Sequence, residues 1–297
     1  GDELFFIRGS NFGPRALDAI TSVTYWPTSA DAGGLQFSPT CHVGLDHDQL
    51  NCTSVAGIGG ELAFRVSISQ QVSAAFVSPT LAYTAPSLTG VSVSGGSEAT
   101  TAGGPAMRVA GRNFGNLGAF ARLHLDGTDV TALSEVEFNL LGHSLVQFQL
   151  PPGEGTSHTV QVQSLDQMSS NTVSFAYAPP RISSLEYVSG ALGEQIQFLV
   201  NGINFAEQCH RQREGKSLPV FVLCGSVPTT VTIGNTTADV LDLNETRILV
   251  RSSTSNGQLV VDVAGQTASV PYNVLDLLQP RITSLHVVSN TTQGGSL

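Results

Sequence analysis

A five-residue phrase recurs along this chain and constrains its fold more than any other feature. It stands as GSNFG at residues 9–13, GRNFG at 111–115 and GINFA at 202–206. Runs of alternating apolar and polar residues lead into it, as in "AMRVAGRNFG" and "IQFLVNGINFA". Alternation with a period of two marks a strand with one buried face. Asn tolerates the left-handed backbone region and a following Gly takes positive φ freely, so the phrase predicts a sharp turn at a strand's end. Phe12, Phe114 and Phe205 are expected to drop from the turn into a core. Asn11, Asn113 and Asn204 then serve the turn rather than a ligand.

Larger units surround the phrase. "PSLTGVSVSGG" (86–96) opens one and "PRISSLEYVSG" (180–190) opens another, and each leads through a Gly-bearing turn to its copy of the phrase. The units close on a tyrosine strand: "LAYTAP", "VSFAYAPP" and "SVPYNV". The boundaries follow as 1–85, 86–179 and 180–279, with 280–297 left over. Short alternating runs such as "AFRVSIS", "LVQFQL", "TVQVQSL" and "QLVVDVA" punctuate each unit. Only 12% of residues are charged, and long amphipathic helices need charged outer faces. The expected class is all-β, as tandem immunoglobulin-like sandwiches.

Four cysteines fall in two local pairs, Cys41 with Cys52 and Cys209 with Cys224, without the spacing of a metal site. Disulfides are the expectation, each worth about 3 kcal/mol for a loop of about 15 residues, and they imply an oxidising compartment. Four buried free thiols in a reducing cell are the alternative. Asn51, Asn235, Asn244 and Asn290 head N-glycosylation patterns. A chain this rich in Ser and Thr produces some such patterns by chance, so their weight comes from their company with the cysteines.

The formal net charge is −10, which argues against nucleic acid and anionic membranes as partners. No stretch reaches the roughly 18 apolar residues of a membrane span. The first residue is Gly1 rather than Met, so a mature product or an excerpt is expected.

Pro-x-Ile near a unit's start, G-x-N-F-G after its second strand, the turn in "LPPGEGTSHTVQV" and the closing "FAYAPP" together resemble the IPT/TIG domain. That is the immunoglobulin-like fold shared by plexins, transcription factors and large surface proteins such as fibrocystin. The resemblance covers nearly the whole chain and is fullest in the second unit. "FSPTCHVGLDHDQLNCTSVAGIGGE" in the first is similar to the paired-cysteine variant of extracellular members. The third departs, with Ala206 in place of the last Gly and a longer insertion, "EQCHRQREGKSLPVFVLC". The resemblance implies a fold and not a function.

The first unit lacks an opening strand, since "GDELFFIRGSNFG" aligns with "GEQIQFLVNGINFA". Residues 280–297, "PRITSLHVVSNTTQGGSL", hold an orphan one, with Ile282, Leu285 and Val288 matching Ile182, Leu185 and Val188. Three explanations stand: an excerpt of a longer array, head-to-tail polymerisation in which one copy's tail fills the next copy's gap, and closure within one chain. A vacant edge would expose an apolar cleft, expected at Leu4, Phe6 and Ile7 beside Phe12.

Chemistry is sparse. His42, Asp46, His47 and Asp48 crowd one loop, where a hydrated loop is the plainer reading than a metal site. "EGKS" fails as a phosphate loop because His210 stands where Gly is needed, and "GIGGEL" fails as a dinucleotide loop at Leu62. No G-x-S-x-G elbow occurs. "HRQRE" (210–214) is expected to be a solvated basic loop, or to meet an acidic neighbour in an assembly. The expectation is therefore an extracellular, glycosylated structural or adhesive protein without catalysis, the protomer of a surface filament that assembles head to tail by strand complementation. Its cofactors are none beyond N-linked glycans, and its partners are copies of itself. A plexin- or fibrocystin-like ectodomain and a carbohydrate-associated module of a secreted enzyme are the alternatives.

Overall fold

A computed structural model describes the chain except residues 16–19, 97, 117, 134, 135, 138, 219, 280–283 and 285–297, and the side chains of residues 20 and 21. The described residues are nearly all β. Two compact units divide them, residues 1–178 with 206–226, and 179–205 with 227–297.

The first sandwich holds β1 (Leu4–Arg8), β2 (Ile20–Pro27), β3 (Thr40–Leu45), β4 (Gln49–Thr53), β5 (Leu62–Ile68), β6 (Gln71–Val72) and β7 (Phe76–Ser78). One sheet runs β1-β4-β3; the other runs β2-β5-β6, with β7 also on β5. Tyr25, Phe37, Phe64 and Leu50 fill the space between, and the Tyr25 and Phe64 rings stack at 5.2 Å.

The second sandwich holds β8 (Ser87–Val93), β9 (Ala106–Arg112), β10 (Ala121–Leu125), β11 (Thr128–Asp129), β12 (Asn139–Leu140), β13 (Leu145–Gln149), β14 (His158–Ser164), β15 (Gln167–Met168) and β16 (Val173–Phe175). Its sheets are β12-β13-β9-β8 and β11-β10-β14-β15, with β16 on β14. Strict alternation in β14, "HTVQVQS", buries His158, Val160 and Val162 and turns Thr159, Gln161 and Gln163 outward. The core gathers Met107, Val109, Phe114, Leu123 and Phe148, none more than 1% exposed.

The third sandwich holds β17 (Arg181–Ser189), β18 (Ile196–Ile203), β19 (Thr230–Ile233), β20 (Thr236–Leu243), β21 (Arg247–Ser252), β22 (Asn256–Val263) and β23 (Gln266–Asn273), in the order β17-β18-β21-β20-β19-β22-β23. Helix α1 (Glu207–Arg213) lies in the insertion and α2 (Val274–Leu278) follows β23.

The repeated phrase is the same turn three times. Asn11, Asn113 and Asn204 take φ of 66°, 62° and 63°, and Phe12, Phe114 and Phe205 are buried. The tyrosines are not equivalent, which corrects the sequence alignment. Tyr83 N–H donates to the Gly59 carbonyl and Tyr177 N–H to the Gly155 carbonyl, but in the third sandwich the matching bond, to the Ser255 carbonyl, comes from Val274. Tyr272 lies two residues earlier, one full pleat. The Tyr83 and Tyr177 hydroxyls donate to the carbonyls of Val55 and Pro151, both at 2.7 Å. Burial first, then the hydrogen bond with Tyr25, raises the Tyr83 hydroxyl well above the usual phenol range; burial and the Asp126 charge do the same to Tyr177.

The basic stretch of the insertion is a helix, not the solvated loop its composition predicts. Its local signals are short: Ala206 caps it in the left-handed conformation, Glu207 opens it and Arg213 ends it. Tertiary contacts decide the outcome. Arg213 pairs with Glu154 of the second sandwich, whose side chain is fully buried. Leu223 joins that sandwich's core, and its N–H and carbonyl exchange 3.0 Å bonds with the Pro152 carbonyl and the Glu154 N–H.

Candidate functional site

The edges of the three sandwiches differ at one place. In the second, β8 pairs antiparallel with β9 and forms the sheet edge; in the third, β17 does the same with β18. β1 is the counterpart of β9 and β18, because each runs into the repeated phrase. β1 pairs with β4 alone among the described residues, so its other edge presents free N–H and C=O groups.

Where β8 lies in the second sandwich, the first has a cleft of about 680 Å³. Phe5 and Ile7 of β1 form one wall, Phe12, Phe64 and Val66 the floor, and residues 73–81, Phe76 among them, the other wall. Phe76 is 65% exposed. Leu88 fills the corresponding space in the second sandwich and is 5% exposed, with Val91 and Val93 packed against the same core.

Of the residues expected to line the cleft, Ile7, Phe6 and Phe12 do so. Leu4 does not, and this is a correction. Exposure along β1 alternates, with Leu4, Phe6 and Arg8 on the outer face and Phe5 and Ile7 inward. Leu4 is 73% exposed, and Phe6 only reaches the rim. The inward residue that the sequence reading missed is Phe5, whose ring centroid lies 5.8 Å from that of Phe64. Strict period-two phasing from the phrase would have found it. Phe64, Val66 and Phe76 carry no local signal for the cleft, since they lie far along the chain.

A hydrogen-bonding clamp also separates the two edges. The Asn171 side chain accepts from Leu88 N–H and donates to the Leu88 carbonyl, both at 2.8 Å, holding β8 from the side opposite β9. Ser73 and Ser169 are equivalent: their N–H groups donate to the Val66 and Val162 carbonyls and their hydroxyls accept from the same residues' N–H. Phe76 lies opposite Phe64 as Val173 lies opposite Val160, and the residues between Ser73 and Phe76 are Ala74 and Ala75, so the first sandwich has no amide there.

The cysteines form two disulfides. Cys41 and Cys52 lie directly opposite each other on β3 and β4, 4.1 Å apart at Cα, and Cys209 and Cys224 close the insertion at 5.4 Å. Asn51 lies on β4 between Phe6 and His42, and its side chain accepts from Gln49 at 2.8 Å. Asn235 is exposed at the tip of the β19–β20 hairpin. The Asn244 side-chain oxygen accepts from Thr246 and Arg247 N–H at 3.0 and 2.9 Å, closing a turn. Asn290, Ile282, Leu285 and Val288 lie outside the described residues.

The crowded loop of the first unit serves the phrase. Phe12 N–H donates to the His47 carbonyl, His47 N–H to the Gly13 carbonyl, and Arg15 N–H to the Asp46 carboxylate. Among the described residues no cluster of His, Cys, Asp and Glu is arranged to hold an ion. No helix of the described residues is long and apolar enough to cross a membrane.

No protein-family profile matches the chain, and no curated protein does. Among solved structures it is similar to a surface glycan-binding protein from Prevotella bryantii, at 12% identity over 66% of this chain and 44% of that one, with a TM-score of 0.38. A surface glycan-binding protein from a xyloglucan utilization locus of Bacteroides uniformis matches at 17% identity over 64% and 49%, with a TM-score of 0.24. A titin tandem matches at 10% identity over 91% of each chain, with a TM-score of 0.30. The chain spans less than half the length of the two glycan-binding proteins. At such scores none of these bears on function, and the immunoglobulin-like fold rests on the sheet topology above.

Proposed function

We propose that this chain is an extracellular, non-catalytic structural protein of the IPT/TIG kind, assembling head to tail by strand complementation. The first sandwich of one copy takes residues 282–288 of another as its edge strand. One observation carries this reading: β1 has a free edge beside an apolar cleft, at the place where the other two sandwiches hold their own first strand. Residues 280–288 repeat residues 180–188 at six of nine positions, so the chain contains a segment of the required pattern. A strand added there would satisfy the free backbone groups and cover apolar surface. Such an interface joins two different surfaces and propagates into a filament unless it closes as a ring. The two disulfides support an oxidising compartment. Asn235, presented on a hairpin tip, is the acceptor we expect to carry an N-linked glycan.

The test is sedimentation velocity of the 297-residue chain over a concentration series, beside Leu285→Asp. Assembly in the parent chain and its loss in the variant support the proposal. A parent chain that stays monomeric overturns it, and so does a variant that assembles equally well. A map in which residues preceding Gly1 in a longer chain cover β1 overturns it as well.

A further inference from the structure

The glycine that opens the repeated phrase has the same backbone neighbour in two of the three sandwiches. A Cβ on Gly111 would lie 2.2 Å from the Ser87 carbonyl oxygen, and one on Gly202 would lie 2.0 Å from that of Arg181. In both sandwiches the first strand's backbone therefore crosses directly over this glycine, at a distance no side chain permits. Gly9 occupies the same place, yet the nearest atoms to its Cβ position belong to the Phe12 ring, and among the described residues no strand pairs with β1 on that side.

The pairings repeat with equal fidelity. Leu88 lies opposite Gly111 and Ile182 opposite Gly202; each strand then spends one unpaired residue in a bulge, and Gly90 and Ser184 resume opposite Ala110 and Asn201. Val91 and Leu185 follow opposite Val109 and Val200. The same register with the same single-residue bulge, in two sandwiches of different sequence, is a property of the repeat.

We infer that the cleft of the first sandwich accepts its strand in this one register, with the Arg281 carbonyl over Gly9, Ile282 opposite Gly9, Thr283 in the bulge, Ser284 opposite Arg8 and Leu285 opposite Ile7. The inference rests on the head-to-tail reading and specifies it. Three features of the site select the strand. Gly9 leaves room for a backbone carbonyl above it, which no other residue would. The bulge requires an unpaired position after the first apolar residue. The wall at Ile7 requires an apolar side chain three residues beyond that first one. Register matters because a slip of one residue turns side chains to the wrong face, whereas a slip of two brings Ser284 to the place of Leu88 and Leu285 to the bulge, so the three-residue spacing of Ile282 and Leu285 excludes it.

Paired cysteines distinguish these registers. In the third sandwich the counterpart pair is in side-chain contact, Asn201 Nδ2 to Ser184 Oγ at 3.2 Å. Chains carrying Arg8→Cys are mixed with chains carrying Ser284→Cys or His286→Cys, oxidised, and run on a non-reducing gel. The expected result is a disulfide-linked dimer with Ser284→Cys and its loss with His286→Cys, the partner for a two-residue slip. Equal linking by both, or linking by His286→Cys alone, overturns the register. Efficient assembly in sedimentation without either link overturns the register but leaves the head-to-tail reading. Absence of both linking and assembly overturns both.

Discussion

The first and second sandwiches carry the same phrase, the same tyrosine and the same serine in the hairpin before the last strand, yet their edges are opposite. In the second, β8 covers β9, Leu88 is buried in the core, and Asn171 clamps β8 from the far side. In the first, β1 is uncovered among the described residues, Phe5 and Ile7 face a cleft, and two alanines, Ala74 and Ala75, follow the serine. Burial here is decided by what lies across from a strand, not by the strand's own residues. The second sandwich is also closed at one end by the insertion, through Arg213, Glu154 and Leu223. The repeat is thus one design whose first strand lies along β9 in the second sandwich and has no counterpart along β1 among the described residues of the first.

The comparison breaks most visibly where the second sandwich is sealed. Arg213→Ala leaves Glu154 buried without its partner, and removal of one member of a buried ion pair costs about 3–5 kcal/mol. Chemical denaturation of the full chain is expected to show that loss. A result within error of the parent would mean that the insertion is not part of the seal.

Next come the edge residues themselves. Leu88→Ala is expected to cost about 2–5 kcal/mol, as for a buried leucine, while Leu4→Ala in the first sandwich stays within about 0.5 kcal/mol, as for an exposed one. Equal losses in thermal unfolding would erase the distinction between the edges. The clamp is the finer test. Asn171→Ala strands the Leu88 N–H and carbonyl and is expected to cost about 1–3 kcal/mol, with faster amide exchange at Leu88.

The smallest expected effect is shared by both sandwiches and sharpens what they have in common. Burial raises the Tyr83 and Tyr177 hydroxyls above the ordinary value of 10 that the unfolded chain has. The neutral form is the one that folding favours. Stability from these groups is therefore fully present below pH 10 and declines as pH rises above it. Tyr83→Phe is expected to flatten the alkaline slope of the unfolding curve, and an unchanged slope would assign that slope to other groups.

The strands, the three turns and the all-β class were legible in the sequence, because alternation and left-handed turn residues act within a few positions of each other. Cysteine pairs in short loops were legible for the same reason. That "GDELFFIRGSNFG" aligns with a second strand rather than a first was legible too, but only because two longer copies stand beside it. The lining of the cleft was half legible: Ile7 and Phe12 follow from the pattern, whereas Leu4 was placed inward without regard to the pleat, and Phe64 and Phe76 enter from distant strands. The insertion was not legible. Its composition suits a solvated loop, and the buried Glu154 and the core position of Leu223, which anchor it, lie outside the basic stretch itself.

What the amino-acid order determined by itself is therefore local: where the chain extends, where it turns and which face is apolar. What tertiary structure decided is which of these faces and edges find a partner. Backbone hydrogen bonds across a sheet and the filling of a core join residues that no local pattern connects, so an edge on β1 that is free among the described residues and a closed one on β9 arise from nearly the same words.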